Sequence, residues 1–163
     1  MLCCIYKSTQ KSLHTYTNYK QILSTSCSMI YKTKPFKHQQ DAVNRFVDKD
    51  YGALFCEMGT GKTKIVLDII QNAEDLADIV IIAPNGLHHN WAINEIPQHF
   101  QKSVDMFCWK GPIKTIKGKK EFNQFLNQDS KFRMILINVE ALRTKSGFET
   151  VEKFINSSKH RIH

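Results

Sequence analysis

The stretch ALFCEMGTGKTKIVLDII, residues 53–70, runs from apolar residues through a glycine-lysine turn into a helical pattern. The short apolar run YGALFC, residues 51–56, predicts a buried strand, and the isoleucines and valine of residues 65–70 would share one helix face. Glycines allow backbone N–H groups to approach a phosphate, which the N-terminus of a helix also attracts. The stretch therefore predicts a strand, a phosphate-binding loop and a helix.

Each residue of the loop suits one task in binding a nucleoside triphosphate. Gly59 and Gly61 permit the turn, and Thr60 lies between them. Lys62 supplies a cation for the β- and γ-phosphates, and the hydroxyl of Thr63 can ligate Mg²⁺. These five residues are the predicted nucleotide and metal contacts. The alternative is a glycine turn that only caps a helix.

Composition and charge describe a 163-residue chain of one-domain size with a basic N-terminal arm. The formal charge is +8, but residues 1–40 carry six lysines and no acid, which leaves +2 for the remainder. Residues 1–30 lack apolar periodicity and are predicted to be a disordered basic arm. Two interpretations remain open: an arm that binds nucleic acid, or translation that starts at Met29.

The five cysteines form no CxxC pair and no Cys/His ligand spacing, which indicates a reduced chain without disulfides or zinc. The sequence contains neither the apolar core of a secretory signal nor the arginines of a transit peptide. No run approaches the ~20 apolar residues of a membrane span. We therefore expect a soluble, cytoplasmic protein without a membrane partner.

Strand-like and helix-like segments alternate from residue 34 onward. Apolar strands are predicted at residues 51–56, 78–84, 103–109 and 132–138, and helices at residues 38–49, 62–73, 87–96, 118–128 and 147–158. Strands that are apolar on both faces and separated by helices are typical of a parallel sheet covered on two sides. The predicted fold is a three-layer α/β/α domain with a mostly parallel sheet.

The loop CEMGTGKT resembles motif I of superfamily 2 helicases, specifically the Swi/Snf-like branch, whose loop also lacks the first glycine of GxxxxGK[ST]. Here that position is Cys56. The segment KPFKHQQDAV resembles the Q motif, with Gln39 at the position whose amide reads adenine. IIAPNGLHHNWAINEI resembles motif Ia, and ILINVEAL resembles motif Ib.

This resemblance covers residues 34–163 and implies an N-terminal RecA-like lobe of a P-loop helicase or translocase that binds ATP and Mg²⁺. In the family, the motif Ia and Ib loops follow the sugar-phosphate backbone of one strand of DNA or RNA without reading bases. The matching residues here are Pro84, Asn85, Gly86 and Asn138. Enzymes of this type from phages and mobile elements often begin close to the Q motif.

ATP hydrolysis in this family needs an Asp-Glu pair after an apolar strand, and no apolar run here ends in that pair. Asn138 ends one such run, but an amide cannot supply the missing charge. The chain therefore resembles an incomplete lobe, truncated before motif II, whose second RecA-like lobe or split-gene partner would be separate. We expect ATP binding without hydrolysis by this chain alone.

Two further interpretations remain open. The chain could be a non-catalytic nucleic-acid- or partner-binding module that regulates an intact helicase, or, less in keeping with its few arginines, a P-loop kinase or GTPase. A lysine cluster with interleaved aromatic residues fits a nucleic-acid patch or a solvated surface: Lys102, Lys110, Lys114, Lys117, Lys119, Lys120, with Phe107 and Trp109.

Four helix residues also receive a prediction. The spacing of Trp91 and Ile96 favours core packing. His88 and His89 at a helix start are expected to be solvated, because no third metal ligand lies nearby in the sequence.

Overall fold

The computed structural model describes residues 3–6, 28–49, 51–73, 78–128 and 132–158 as strands, helices and connecting segments. The strands are β1 (Cys3–Tyr6), β2 (Tyr51–Leu54), β3 (Asp78–Ala83), β4 (Asp105–Cys108) and β5 (Arg133–Asn138). The helices are α1 (Lys37–Phe46), α2 (Lys62–Asn72), α3 (Leu87–Asn90), α4 (Ile96–His99), α5 (Ile116–Leu126), α6 (Val139–Leu142) and α7 (Lys145–Ser157). A π-helical turn, Trp91–Glu95, joins α3 to α4. Within these ranges no helix is both long and apolar enough to cross a membrane.

The chain has an α/β fold with a parallel three-stranded sheet in the order β3-β5-β4. Asp78 pairs with Arg133 at one end of the sheet and Ala83 with Asn138 at the other. β5 lies in the centre, and its residues from Arg133 to Ile137 are all buried. A continuous apolar run suits a central parallel strand, because helices cover both of its faces.

The pairing of the strand before the glycine loop differs from the prediction, which placed this strand in one mostly parallel sheet. In the described part of the chain, β2 pairs with β1, antiparallel, and the parallel sheet contains only the other three strands. Because backbone N–H and C=O groups need hydrogen-bond partners, β1 satisfies one side of β2. Residues 1–30 were expected to be disordered, yet a strand is present at Cys3–Tyr6; residues 7–27 lie outside the described residues.

Alternate residues of β5 belong to two separate hydrophobic clusters. Met134 and Leu136 pack with residues of α2, whereas Ile135 and Ile137 pack with residues of α5 and α7. Successive side chains of a strand point to opposite faces, so the two clusters lie on opposite faces of β5. The cluster of Met134 and Leu136 holds α2, and with it the loop that precedes α2, against one face of the sheet.

Residues 30–33 pack across α2 and α4 and tie them together. Asn72 pairs reciprocally with the backbone of Ile30: its amide donates to the carbonyl (2.9 Å), and its oxygen accepts from the N–H (2.6 Å). The hydroxyl of Thr33 lies 2.8 Å from Nδ1 of His99. Burial lowers the pKa of His99, so this ring favours its neutral form. Residues 30–33 are therefore anchored beside α2 and α4.

Two helices begin with the same local arrangement. Thr115 caps α5 by accepting a hydrogen bond from the N–H of Gly118 (3.0 Å), and Thr144 caps α7 by accepting one from the N–H of Gly147 (3.1 Å). Such caps satisfy one of the free N–H groups of a helix start. The third helical residue is glycine in both cases, although the two glycines have different surroundings.

Candidate nucleotide and nucleic-acid site

The loop between β2 and α2 has the backbone conformation that its glycines predict. Gly59 and Gly61 have φ angles of 80° and 76°, in the left-handed region that side chains disfavour. Gly61 is the N-cap of α2 and no side chain caps the helix. The first intrahelical bond of this turn runs from the N–H of Ile65 to the carbonyl of Gly61 (3.0 Å). The earlier N–H groups of α2 thus have no intrahelical acceptor and can face an anion.

Lys62 folds back over the loop. Its ammonium donates to the carbonyls of Cys56 (2.9 Å) and Glu57 (2.6 Å). The hydroxyl of Thr60 donates to the same carbonyl of Glu57 (2.9 Å), which closes the turn. The loop is therefore held by a cation that could exchange these carbonyls for phosphate oxygens.

Gln39 joins α1 to the loop. Its amide nitrogen donates to the carbonyl of Thr60 (3.2 Å), and its oxygen accepts from the N–H of Phe36 (3.0 Å). Nε2 of His38 lies 3.1 Å from the same carbonyl of Thr60. Gln39 is buried rather than on an exposed helix face, so the Q-like segment and the glycine loop are in direct contact.

We expect Gly61→Ala to destabilise the protein more than Gly59→Ala. Both substitutions place a Cβ at positive φ, which costs about 1–2 kcal/mol. At Gly61 the new Cβ would also lie 2.3 Å from Nε2 of Gln39, whereas nothing lies within 4 Å at Gly59. The difference in the free energy of unfolding, measured by urea denaturation, reports the contact with Gln39. Equal losses for the two variants would contradict that contact.

The predicted nucleic-acid residues meet at the carboxyl ends of β3 and β5. The turn of Pro84, Asn85 and Gly86 follows β3, and all three residues are exposed. Nδ2 of Asn138 donates to Oδ1 of Asn85 (3.4 Å), and Oδ1 of Asn138 caps α6 by accepting from the N–H of Ala141 (3.2 Å). The structure thus brings Asn85 and Asn138 together. The glycine loop, by contrast, follows a strand of the other sheet.

The lysine cluster does not present its aromatic residues as stacking surfaces. Trp109 is buried, and Phe107 packs against Phe122 with ring centroids 4.7 Å apart. Lys117 lies 3.9 Å from Glu121 on the exposed surface of α5. The expected burial of Trp91 and Ile96 is confirmed.

His88 differs from its prediction. The expectation that His88 is solvated is wrong, because the residue is 1% exposed. The end of β4 lies over α3: Nε2 of His88 lies 3.0 Å from the carbonyl of Trp109, and Nδ1 of His89 lies 3.2 Å from Sγ of Cys108. Cys108 offers a third side chain of a type that can bind a metal, and the sequence spacing did not indicate it. It lies 19 residues from His89 in the chain, and only the packing of β4 beside α3 reveals it.

His89 and Cys108 have shifted pKa values. Burial lowers the pKa of His89, and the neighbouring His88 and Lys110 lower it further. Burial raises the pKa of Cys108, while Lys110 acts in the opposite direction. The imidazole of His89 is therefore neutral at physiological pH.

Comparison of the chain with protein-family models, with curated proteins and with solved structures found no match.

Proposed function

We propose that this chain is the ATP-binding lobe of a Swi/Snf-like DNA helicase or translocase, with a three-layer RecA-like architecture. One observation carries the proposal: an uncapped helix start follows two left-handed glycines, beneath a lysine that folds over the same loop. This combination suits a triphosphate, because the free N–H groups and the ammonium are all donors to anionic oxygen.

Two features beside the loop support the proposed binding of an adenine nucleotide and of Mg²⁺. Gln39 contacts the loop through one N–H of its amide, which leaves its second N–H and the other lone pair of its oxygen for an adenine edge. Thr63 follows Lys62 in the first turn of α2, where its hydroxyl would ligate Mg²⁺. The arrangement of strands, with clusters on both faces of β5, is compatible with the proposed lobe.

The paired asparagines support the nucleic-acid part of the proposal. Asn85 and Asn138 lie at the ends of adjacent parallel strands, beside the exposed left-handed Gly86. Amide groups and exposed backbone N–H groups at such a sheet edge are donors for phosphate oxygens. These groups would hold the sugar-phosphate backbone of one nucleic-acid strand without reading its base sequence.

Hydrolysis is not proposed for this chain alone. None of the described strands is followed directly by an Asp-Glu pair, and Asn138 at the end of β5 carries no charge. A carboxylate for Mg²⁺ and a base for water would come from a complementing segment and a second lobe. We therefore propose binding of Mg-ATP, with turnover only after complementation.

Lys62→Ala should weaken binding of Mg-ATP by roughly 10- to 150-fold, because a charge-assisted hydrogen bond contributes about 1.5–3 kcal/mol. Isothermal calorimetry and the Mg-ATP-dependent rise in melting temperature of the full chain measure this loss. Lys120→Ala is the matched control: it removes the same charge from an exposed site on α5 and should change affinity less than about twofold.

Two results would overturn the proposal. One is no adenine-nucleotide binding at millimolar concentration by a folded sample. The other is equal binding by the wild type and Lys62→Ala. A complemented protein, supplied with a motif II strand and a second lobe, should hydrolyse ATP, and Lys62→Ala should abolish that activity.

A second candidate is a non-catalytic nucleic-acid-binding module, favoured by the exposed lysines of α5. It predicts single-stranded DNA binding that persists in Lys62→Ala and weakens with salt. Replacing Lys117, Lys119 and Lys120 by glutamine should then reduce both affinity and salt dependence. Binding that requires Lys62 and ignores these three lysines would exclude this candidate.

A further inference from the structure

His88 carries a buried nitrogen without a hydrogen-bond partner. Its Nε2 lies 3.0 Å from the carbonyl oxygen of Trp109. A carbonyl only accepts, so Nε2 donates this hydrogen bond, and Nδ1 is the nitrogen whose lone pair a metal would use. Nδ1 is buried and has no partner among the described residues. An unsatisfied buried acceptor of this kind costs about 1–3 kcal/mol, a cost that a bound ion or water would remove.

Two further side chains that can bind a metal lie close to His88. The ligand atoms of His88, His89 and Cys108 all lie within 4.8 Å of one another. Sγ of Cys108 is 3.2 Å from Nδ1 of His89, and the two imidazole centroids are 4.1 Å apart. Tetrahedral zinc with bonds of about 2.0–2.3 Å separates its ligand atoms by about 3.3–3.8 Å. Small side-chain rotations would bring the three donors to that spacing.

We propose that His88, His89 and Cys108 bind a zinc-class divalent cation, with one coordination position left open for water or another ligand. Two imidazoles and one thiolate select a borderline-soft transition metal over Mg²⁺ or Ca²⁺. The hydrogen bond from His88 to the carbonyl of Trp109 fixes the ring as outer-shell partners fix metal-bound histidines. Binding releases the thiol proton of Cys108 to solvent as the sulfur–metal bond forms.

The metal would connect two elements that are separate in sequence. His88 and His89 lie in α3, directly after the turn of Pro84, Asn85 and Gly86, and Cys108 is the last residue of β4. Coordination would therefore fix the start of α3 against the sheet and hold the adjacent turn in place. This inference concerns a different site from the nucleotide loop and does not depend on ATP binding.

Titration of the full reduced chain with Co²⁺, followed by competition with Zn²⁺, tests the proposal. We expect one bound metal per chain, tetrahedral d–d absorption and a thiolate-to-cobalt charge-transfer band. Cys108→Ser should remove that band, and both Cys108→Ser and His89→Gln should weaken affinity at least about 100-fold. Zn²⁺ should raise the melting temperature of the wild type but not of these variants.

Controls separate this site from the other thiols. Cys56→Ser, and the triple replacement of Cys3, Cys4 and Cys27 by serine, should keep both the affinity and the charge-transfer band. Circular dichroism of each metal-free variant checks that it is folded. The proposal is overturned if the wild type binds no metal at millimolar concentration, or if Cys108→Ser binds with wild-type affinity and spectrum. Loss of the band in the triple variant would also overturn it.

Discussion

Asp78→Ala should lower the free energy of unfolding by about 3–5 kcal/mol, because it leaves the guanidinium of Arg133 buried without its anion. Nε and Nη2 of Arg133 donate to the two carboxylate oxygens of Asp78 at 2.7 Å and 2.6 Å. Both side chains are buried, with 6% and 1% of their surfaces exposed. The hydrogen bonding that Arg133 donates to the carboxylate of Asp78 is the main reason that the pKa of Arg133 is raised. Urea denaturation measures the loss.

Two further variants test whether the lost stability of Asp78→Ala comes from the buried, unpaired charge of Arg133. The double variant Asp78→Ala with Arg133→Met removes both charges and should recover much of the stability, because an apolar pair needs no compensation. Glu149→Ala breaks an exposed pair with Lys145, 3.9 Å apart, and should change stability by less than about 1 kcal/mol. Similar effects of Asp78→Ala and Glu149→Ala would contradict a buried, uncompensated charge.

Gly147→Ala should cost about 1–3 kcal/mol, although alanine is intrinsically the better helix former. A Cβ at Gly147 would lie 2.1 Å from the carbonyl oxygen of Ala141 and 2.6 Å from its carbon. That oxygen accepts from the N–H (2.9 Å) and the hydroxyl (2.7 Å) of Thr144. The carbonyl therefore cannot move aside without breaking two hydrogen bonds at the junction of α6 and α7.

Gly118→Ala is the matched control, because it places a methyl group at the same position of the equivalent cap. Its Cβ would lie 3.0 Å from Oγ1 of Thr115 and 3.2 Å from Cγ2 of Ile113, both in side chains. Small side-chain shifts can relieve such contacts, so we expect stability to change by less than about 1 kcal/mol. Thermal unfolding compares the two variants. A loss at Gly118 as large as that at Gly147 would refute the role of the Ala141 carbonyl.

Local patterns predict the elements of this fold well. Apolar runs mark β3 and β5, and the glycine-lysine turn marks the start of α2, because chain periodicity and backbone freedom are properties of short segments. The positive φ angles of Gly59 and Gly61 follow from the same local rule. The α/β class and the conformation of the glycine loop therefore follow from the sequence, whereas the three-layer arrangement stays a prediction.

Contacts between residues that are far apart in the sequence could not be predicted from local patterns. The pairing of β2 with β1 joins residues about 50 positions apart, and no local pattern specifies it. His88 was expected to be solvated, yet it is buried because β4 packs over α3. The contact of Gln39 with Thr60 also depends on how α1 packs beside the loop. Sequence indicated Gln39 only through resemblance to a known motif.

The π-helical turn at Trp91–Glu95 affects how related sequences should be aligned with this one. The N–H of Ile96 reaches the carbonyl of Trp91, five residues back, so this segment holds one residue more than an α-helix of the same hydrogen-bonded span. Homologues with a regular helix here would carry a one-residue gap between His89 and His99. Without that gap, an alignment would match inward-facing positions on one side of the turn with outward-facing positions.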